Sequence, residues 1–168
     1  MITRGKIMNK LKTAVTIIAA EEGYRGDTYY CTLGYPTIGV GLKIGHQGQS
    51  LDDFKGFPSM PRDVAELWCK IHAEDVEESF NSYPLILAAA EKCNNVQKAV
   101  LISMGYQLGV YGLSKFKRML GHCISQDFEK AAEEMLDSLL AEQAPKRTER
   151  QAGMLATGKL LEYYGGRP

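Results

Sequence analysis

Residues Glu21–Gly45, EEGYRGDTYYCTLGYPTIGVGLKIG, decide how the rest of this chain is read. The acidic pair Glu21–Glu22 closes a stretch in which Met8, Leu11, Val15, Ile18 and Ala19 fall at three- and four-residue steps. That period predicts a helix over about 7–22, stopped by Gly23. The following Tyr29–Tyr30 and TLGYPTIGVGL are strand-forming, but Pro36 and five glycines (Gly26, Gly34, Gly39, Gly41, Gly45) divide them. Short strands, tight turns and close backbone approaches are expected over 24–50. This order puts a carboxyl group, Glu22, at a helix end facing a small sheet that carries a thiol, Cys31, and a hydroxyl, Thr37. An acid at a helix C-terminus sits at the wrong end of the macrodipole, at a cost of roughly 0.3 kcal/mol or more. A residue placed against that preference invites a functional reading, although a surface acid is the plain alternative. Half-buried carboxyl groups in such places are suited to donating a proton.

Beyond this segment, residues 51–60 read as an irregular connection and the chain then turns helical. A long helix runs from Pro61 to about Phe80, with Val64, Leu67, Trp68, Ile71 and Val76 on one side, so that Trp68 is expected in the core. Asn81–Pro84 interrupts it before a short helix to about Lys92. Asn94 or Asn95 caps the next helix, whose Val96, Val100, Leu101, Met104 and Leu108 mark it as the central core helix. Gly109 and Gly112 break the chain, Ser125 caps a helix to Ala141, and Pro145 opens the last one, to about Tyr164. The fold class is α+β, with a small sheet-containing lobe at about 23–60 and a helical lobe at about 61–168 joined by the N-terminal helix. A cleft is expected between them, the whole chain (1–168) forming one domain.

Lys+Arg and Asp+Glu balance at 20 each, so no net field steers the chain to nucleic acid. The basic start (Arg4, Lys6, Lys10, Lys12) and the acid-rich 74–78 and 127–142 stretches read as solvated helix faces. Cys31, Cys69, Cys93 and Cys123 show no CxxC spacing and no close histidine, which argues against structural zinc. They read as reduced, mostly buried thiols, with a disulfide pair left open. The longest apolar run, 14–20, is too short to span a bilayer, and Glu21–Glu22 stands where a signal cleavage site would be. No membrane anchor is expected. His46, His72 and His122 read as surface or cap residues.

Glu22-Gly23, Cys31 and Thr37-Ile38-Gly39-Val40-Gly41 together resemble the phage-type lysozymes (endolysins, glycoside hydrolase family 24). That family carries a Glu–Asp/Cys–Thr triad at this spacing. MGYQLG at 104–109, RML at 118–120, FEKAA at 128–132 and QAPKR at 143–147 follow in the family's order, so the resemblance covers about 11–160. It implies a lysozyme-like fold and hydrolysis of the β-1,4 bond between N-acetylmuramic acid and N-acetylglucosamine. Glu22 would be the acid, and Cys31 and Thr37 would position and activate water on the opposite sugar face, as in an inverting glycosidase. Arg147 matches the arginine that pairs with the catalytic Glu, and Tyr106 and Gln107 match cleft-facing positions that bind substrate. No metal or organic cofactor is implied. The partner is a peptidoglycan glycan strand, met as a monomer after the enzyme accumulates in the host cytoplasm. Release to the periplasm and wall would depend on a separate holin-type, membrane-permeabilising protein.

Two departures stand out. Leu42 replaces a common His, and Ala144 replaces a hydroxyl residue before Pro145, removing a good N-cap. Cys31 stands where Asp is commoner; a thiol ordinarily titrates near 8.5, and a neighbouring carboxylate would push it higher, so Cys31 is expected mostly protonated at neutral pH. Two other readings are weighed against the lysozyme: a catalytically inactive wall-binding domain, and a thiol hydrolase built on Cys31 with His46 as its base.

Overall fold

A computed structural model describes residues 11–31 and 33–165. The fold is α+β and lysozyme-like. Helix α1, Lys12–Glu22, ends at Gly23, whose backbone N–H closes on the Ala19 carbonyl. The expected helical residues 7–10, with Met8, lie outside the described residues. A three-stranded antiparallel sheet follows: β1 (Arg25–Tyr30), β2 (Pro36–Gly39) and β3 (Leu42–Lys43), in the order β1-β2-β3. The connection is less irregular than expected, since Leu51–Phe54 forms a 3₁₀ turn capped by the Ser50 hydroxyl.

Helices then account for nearly everything: α2 (Arg62–Ser79), α3 (Pro84–Lys92), α4 (Asn95–Leu113), α5 (Lys117–Ile124), α6 (Phe128–Leu136), α7 (Leu139–Gln143), α8 (Pro145–Thr157) and α9 (Glu162–Gly165). α4 is the core helix, packed by α1, α2 and α8. Residues 99–105 are buried without a break, so α4 is enclosed on all sides rather than along a stripe. Its start is a full capping box, in which Asn94 accepts from the Val96 and Gln97 amides while Gln97 returns a bond to the Asn94 N–H.

The buried face of α2 differs from expectation. Ala65, Cys69, Ala73 and Val76 face the core, while Leu67 (56% exposed) and Trp68 (45%) stay in solvent with Val64 and Ile71. The apolar spacing is helical, but of the five residues expected on one side only Val76 lies on the face that is buried. Gly105 of α4 makes room for Val76: a Cβ placed on it would lie 2.7 Å from Val76 Cγ1. Trp68 is not a core residue.

The later helices also end differently. Gly109, at φ 74° and ψ 155°, breaks α4 into two helical segments as expected, whereas Gly112 lies within the second. Ser125 closes α5 instead of capping α6; Asp127 caps α6, its carboxylate accepting from the Lys130 amide. The expected helix to Ala141 is split into α6 and α7. α8 ends at Gly158, and Tyr164 belongs to the separate α9. Ala144 supplies no side-chain cap, as its side chain requires.

Candidate active site

Three helices and the sheet converge on Glu22. Its carboxyl, about a quarter exposed at the end of α1, accepts a hydrogen bond from Arg147 Nη1 at 2.7 Å. Arg147 stands two residues after the Pro145 that opens α8, which aims it back across the helix start. Its Nη2 lies 3.3 Å from Ser103 Oγ on α4, and the same hydroxyl accepts from Gln151 Nε2 at 2.9 Å. One guanidinium thus ties α1, α4 and α8 together at the acid. A planar fork serves better here than an ammonium, because two of its nitrogens engage separate oxygens.

The sheet supplies the facing wall. Antiparallel register pairs Tyr29 with Thr37 and Thr37 with Lys43, which places all three on one face. Cys31 follows Tyr29 by two residues. Its N–H donates to the Tyr35 carbonyl at 3.0 Å, its own carbonyl accepts from Gly34, and the Thr37 hydroxyl donates to Tyr35 at 2.8 Å. The turn bearing the thiol is therefore pinned from both sides. Burial raises the Cys31 thiol, but the Tyr35 and Leu33 backbone, the Thr37 hydroxyl and the Lys43 ammonium outweigh it. The net effect is a thiol below its ordinary value, the reverse of the expected upward shift. The reason is local. The acting charge is Lys43 on β3, and Glu22 is not among the groups that set the thiol.

Tyr29 links the two walls. Its phenol is raised first by burial, then by Glu22, and further by Cys31, against the Arg25 guanidinium that lies 4.4 Å over its ring. A side chain that senses both charges lies in the field of both. Gly41 makes the approach feasible: it adopts φ +72°, and a Cβ there would come within 3.3 Å of Glu22 Oε2. Tyr106 secures the same loop from α4, its hydroxyl donating to the Val40 carbonyl at 3.0 Å and its ring meeting His72 edge-on. Burial, with Cys69 and Glu22 nearby, raises the Tyr106 phenol, and burial pushes the Cys69 thiol up to about 12. Both stay neutral across the working range.

Glu22, Arg147 and Tyr106 thus surround one point, with Cys31 and Thr37 on the facing sheet. Thr37 is only 1% exposed, so its hydroxyl acts chiefly on the Cys31 turn. Gln107, next along α4, presents a buried side-chain oxygen without a hydrogen-bond partner among the described residues. The backbone N–H of His46 donates to Gln49 Oε1 at 3.2 Å.

Sequence reasoning missed Tyr29, Lys43, Ser103 and a second clamp. Glu21 accepts a two-pronged bond from Arg150 (2.9 and 2.6 Å) and a further bond from the Tyr164 hydroxyl. The signal was present. Two adjacent acids ending one helix match two arginines one turn apart on another. Tyr29 shares its strand parity with Cys31.

No family model matches this chain. It is 29% identical over 161 residues to the pre-baseplate central spike protein Gp5 of Enterobacteria phage T4, covering 88% of this chain. The chain spans only 28% of that protein's length. It is 28% identical over 160 residues to probable T4-type lysozyme 1 of Dictyostelium discoideum, covering 85% of this chain and 93% of the relative. Probable T4-type lysozyme 2 of the same organism is also 28% identical, with the same coverage.

Proposed function

We propose that this chain is a phage-type lysozyme, a glycoside hydrolase whose reaction is hydrolysis of the β-1,4 bond between N-acetylmuramic acid and N-acetylglucosamine in peptidoglycan. The observation that carries this is the carboxyl of Glu22, anchored by Arg147 at the end of α1 and met by the Gly41 turn of the sheet that also carries Thr37. Glu22 protonates the departing glycosidic oxygen, and positive charge develops at the anomeric carbon. Water attacks from the opposite face, giving its proton to the Cys31 sulfur. Proton transfers of this kind contribute about 10²–10⁴-fold each. The lowered thiol suits that role, since it needs a thiolate fraction near neutral pH to accept a proton.

Thr37 holds the Cys31 turn, Arg147 fixes the Glu22 carboxyl, and Tyr106 holds the loop of Val40 and Gly41 beside it. The biological setting follows the same reading: a monomeric enzyme, accumulated in the host cytoplasm and released to the wall through a holin-type partner, for host lysis. Turbidity loss on chloroform-treated Gram-negative cells tests the reaction, comparing the unsubstituted chain with Glu22→Gln and Cys31→Ser. Activity that disappears in Glu22→Gln supports acid catalysis, and full activity in that variant overturns it. An inert unsubstituted chain supports a wall-binding module instead. Release of the α-anomer first supports water attack with inversion, and initial β-product overturns it.

A further inference from the structure

Behind the acid, one buried hydroxyl receives two donors from the same helix. Ser103 on α4 and Gln151 on α8 are both fully buried. Gln151 Nε2 donates to Ser103 Oγ at 2.9 Å, and Arg147 Nη2 donates to it at 3.3 Å. Arg147 and Gln151 stand four residues apart on α8, so their side chains leave one face of that helix. A hydroxyl oxygen offers two lone pairs, and both are engaged here. On the other side of the guanidinium, Nη1 donates to Glu22 at 2.7 Å. Its Nε is buried and has no hydrogen-bond partner among the described residues, so the bonds that orient the fork run through the two η nitrogens. With Glu22 as the proposed acid, on which this role rests, we propose that Ser103 is a positioning residue. Held by Gln151, it sets the plane of the Arg147 guanidinium and thereby the orientation in which Glu22 meets the glycosidic oxygen.

A long arginine side chain bonded at one nitrogen still turns about that bond, and a second bond across the fork removes the freedom. Serine suits the second anchor. Its side chain is short, it lies in the stretch of α4 buried without a break from 99 to 105, and Gln151 fixes its hydroxyl from α8. Tyr106 follows Ser103 by three residues, which puts both on one side of α4. From there Tyr106 holds the Val40 carbonyl while Ser103 holds the arginine of the acid. One helix is therefore the common reference for the carboxyl and for the loop beside it. Ser103 is too deeply buried to touch the glycan, so its effect passes through Arg147.

The test compares turnover and KM on purified peptidoglycan for the unsubstituted chain and Ser103→Ala. Turnover should fall roughly 10- to 100-fold, as for a reacting group misplaced by about an ångström, while KM changes by less than about twofold. Unchanged turnover, or a loss confined to KM, overturns the proposal. Ser103→Ala should cause no further loss of turnover when Arg147→Ala is already present; losses that simply multiply overturn it, because Ser103 would then act by another route. Nitrogen NMR with labelled arginine reads the same contact without catalysis. Arg147 should show two separate Nη signals in the unsubstituted chain, merged in Ser103→Ala; signals merged from the outset, or still separate in the variant, overturn the proposal. Should Arg147→Ala not fold or turn over too slowly to measure, the NMR comparison decides. An inert unsubstituted chain overturns the reading of Glu22 as the acid, and the NMR comparison still decides whether Ser103 orients Arg147.

Discussion

At the scale of single residues, the proposed reaction asks a thiol to do work more often given to a carboxylate. Cys31 manages this through neighbours, because backbone amides, the Thr37 hydroxyl and the Lys43 charge favour its ionised form beyond the opposing effect of burial. Activity should therefore rise with pH through a midpoint below the ordinary value of a thiol. Removing the Lys43 charge removes a stabiliser of the thiolate, so Lys43→Ala should move that rising limb to higher pH while leaving the plateau rate nearly intact. A limb unmoved in Lys43→Ala would mean that a different group titrates. Cys31→Ser should cost about 100-fold in rate, because a serine hydroxyl does not ionise in this range. Cys31→Asp should restore activity and carry the limb well into acid, since an ordinary aspartate ionises near 3.9. Rate against pH for the four proteins distinguishes a proton acceptor from a packing residue, which would leave the limb where it was.

At the scale of elements, the turn between β2 and β3 meets the end of α1 through absence of side chain. Gly41→Ala adds a methyl 3.3 Å from Glu22 Oε2 at a positive φ, so strain and displacement both act on the acid. We expect a drop of roughly 100-fold in turnover, from misplacement of about an ångström, with circular dichroism unchanged. The start of α4 makes a complementary prediction about stability. Asn94 caps α4 and also donates from Nδ2 to the Gly158 carbonyl at the end of α8, while Gln97 bonds Leu155. Asn94→Ala should cost about 1–2 kcal/mol, a fall of several degrees in thermal midpoint, with activity preserved. These elements show what the sequence makes legible. Caps, glycine turns and the acid–thiol–hydroxyl spacing are local, so Gly23, Asn94 and the TIGVG turn could be read directly. The face that α2 buries was not, because Val64, Leu67, Trp68 and Ile71 form a helical apolar spacing on the side left exposed, while the smaller Ala65, Cys69 and Ala73 turn inward. Tyr29 and Lys43 joined the site only through strand register, which composition does not reveal.

At the scale of the whole molecule, the first and last of the described helices are locked at the same place where Glu22 is held. Glu22 pairs with Arg147, and its neighbour Glu21 is gripped by Arg150 and the Tyr164 hydroxyl. α1, α8 and α9 are therefore joined by two adjacent acids that face different partners. Glu21 is almost wholly buried, its side chain 4% exposed. Burial raises its carboxyl, but the bonds from Arg150 and Tyr164 and the charges of Arg150 and Arg147 hold it below the usual 4.5. A carboxyl depressed on folding stabilises the native state above its unfolded value, and the contribution fades as pH falls through the lower folded value. Glu21→Gln should therefore lower the thermal midpoint at pH 7 by roughly 6–12 °C, from the loss of about 3 kcal/mol when a buried pair is broken. The gap to the unsubstituted chain should stay full down to about pH 4.5 and narrow in more acidic buffer, as the native Glu21 also becomes neutral. A gap that stays constant to pH 2.5 would assign Glu21 to packing alone. Because the clamp fixes the helix end from which Glu22 projects, turnover in Glu21→Gln should fall more than substrate affinity, separating its effect on the acid from any effect on the glycan.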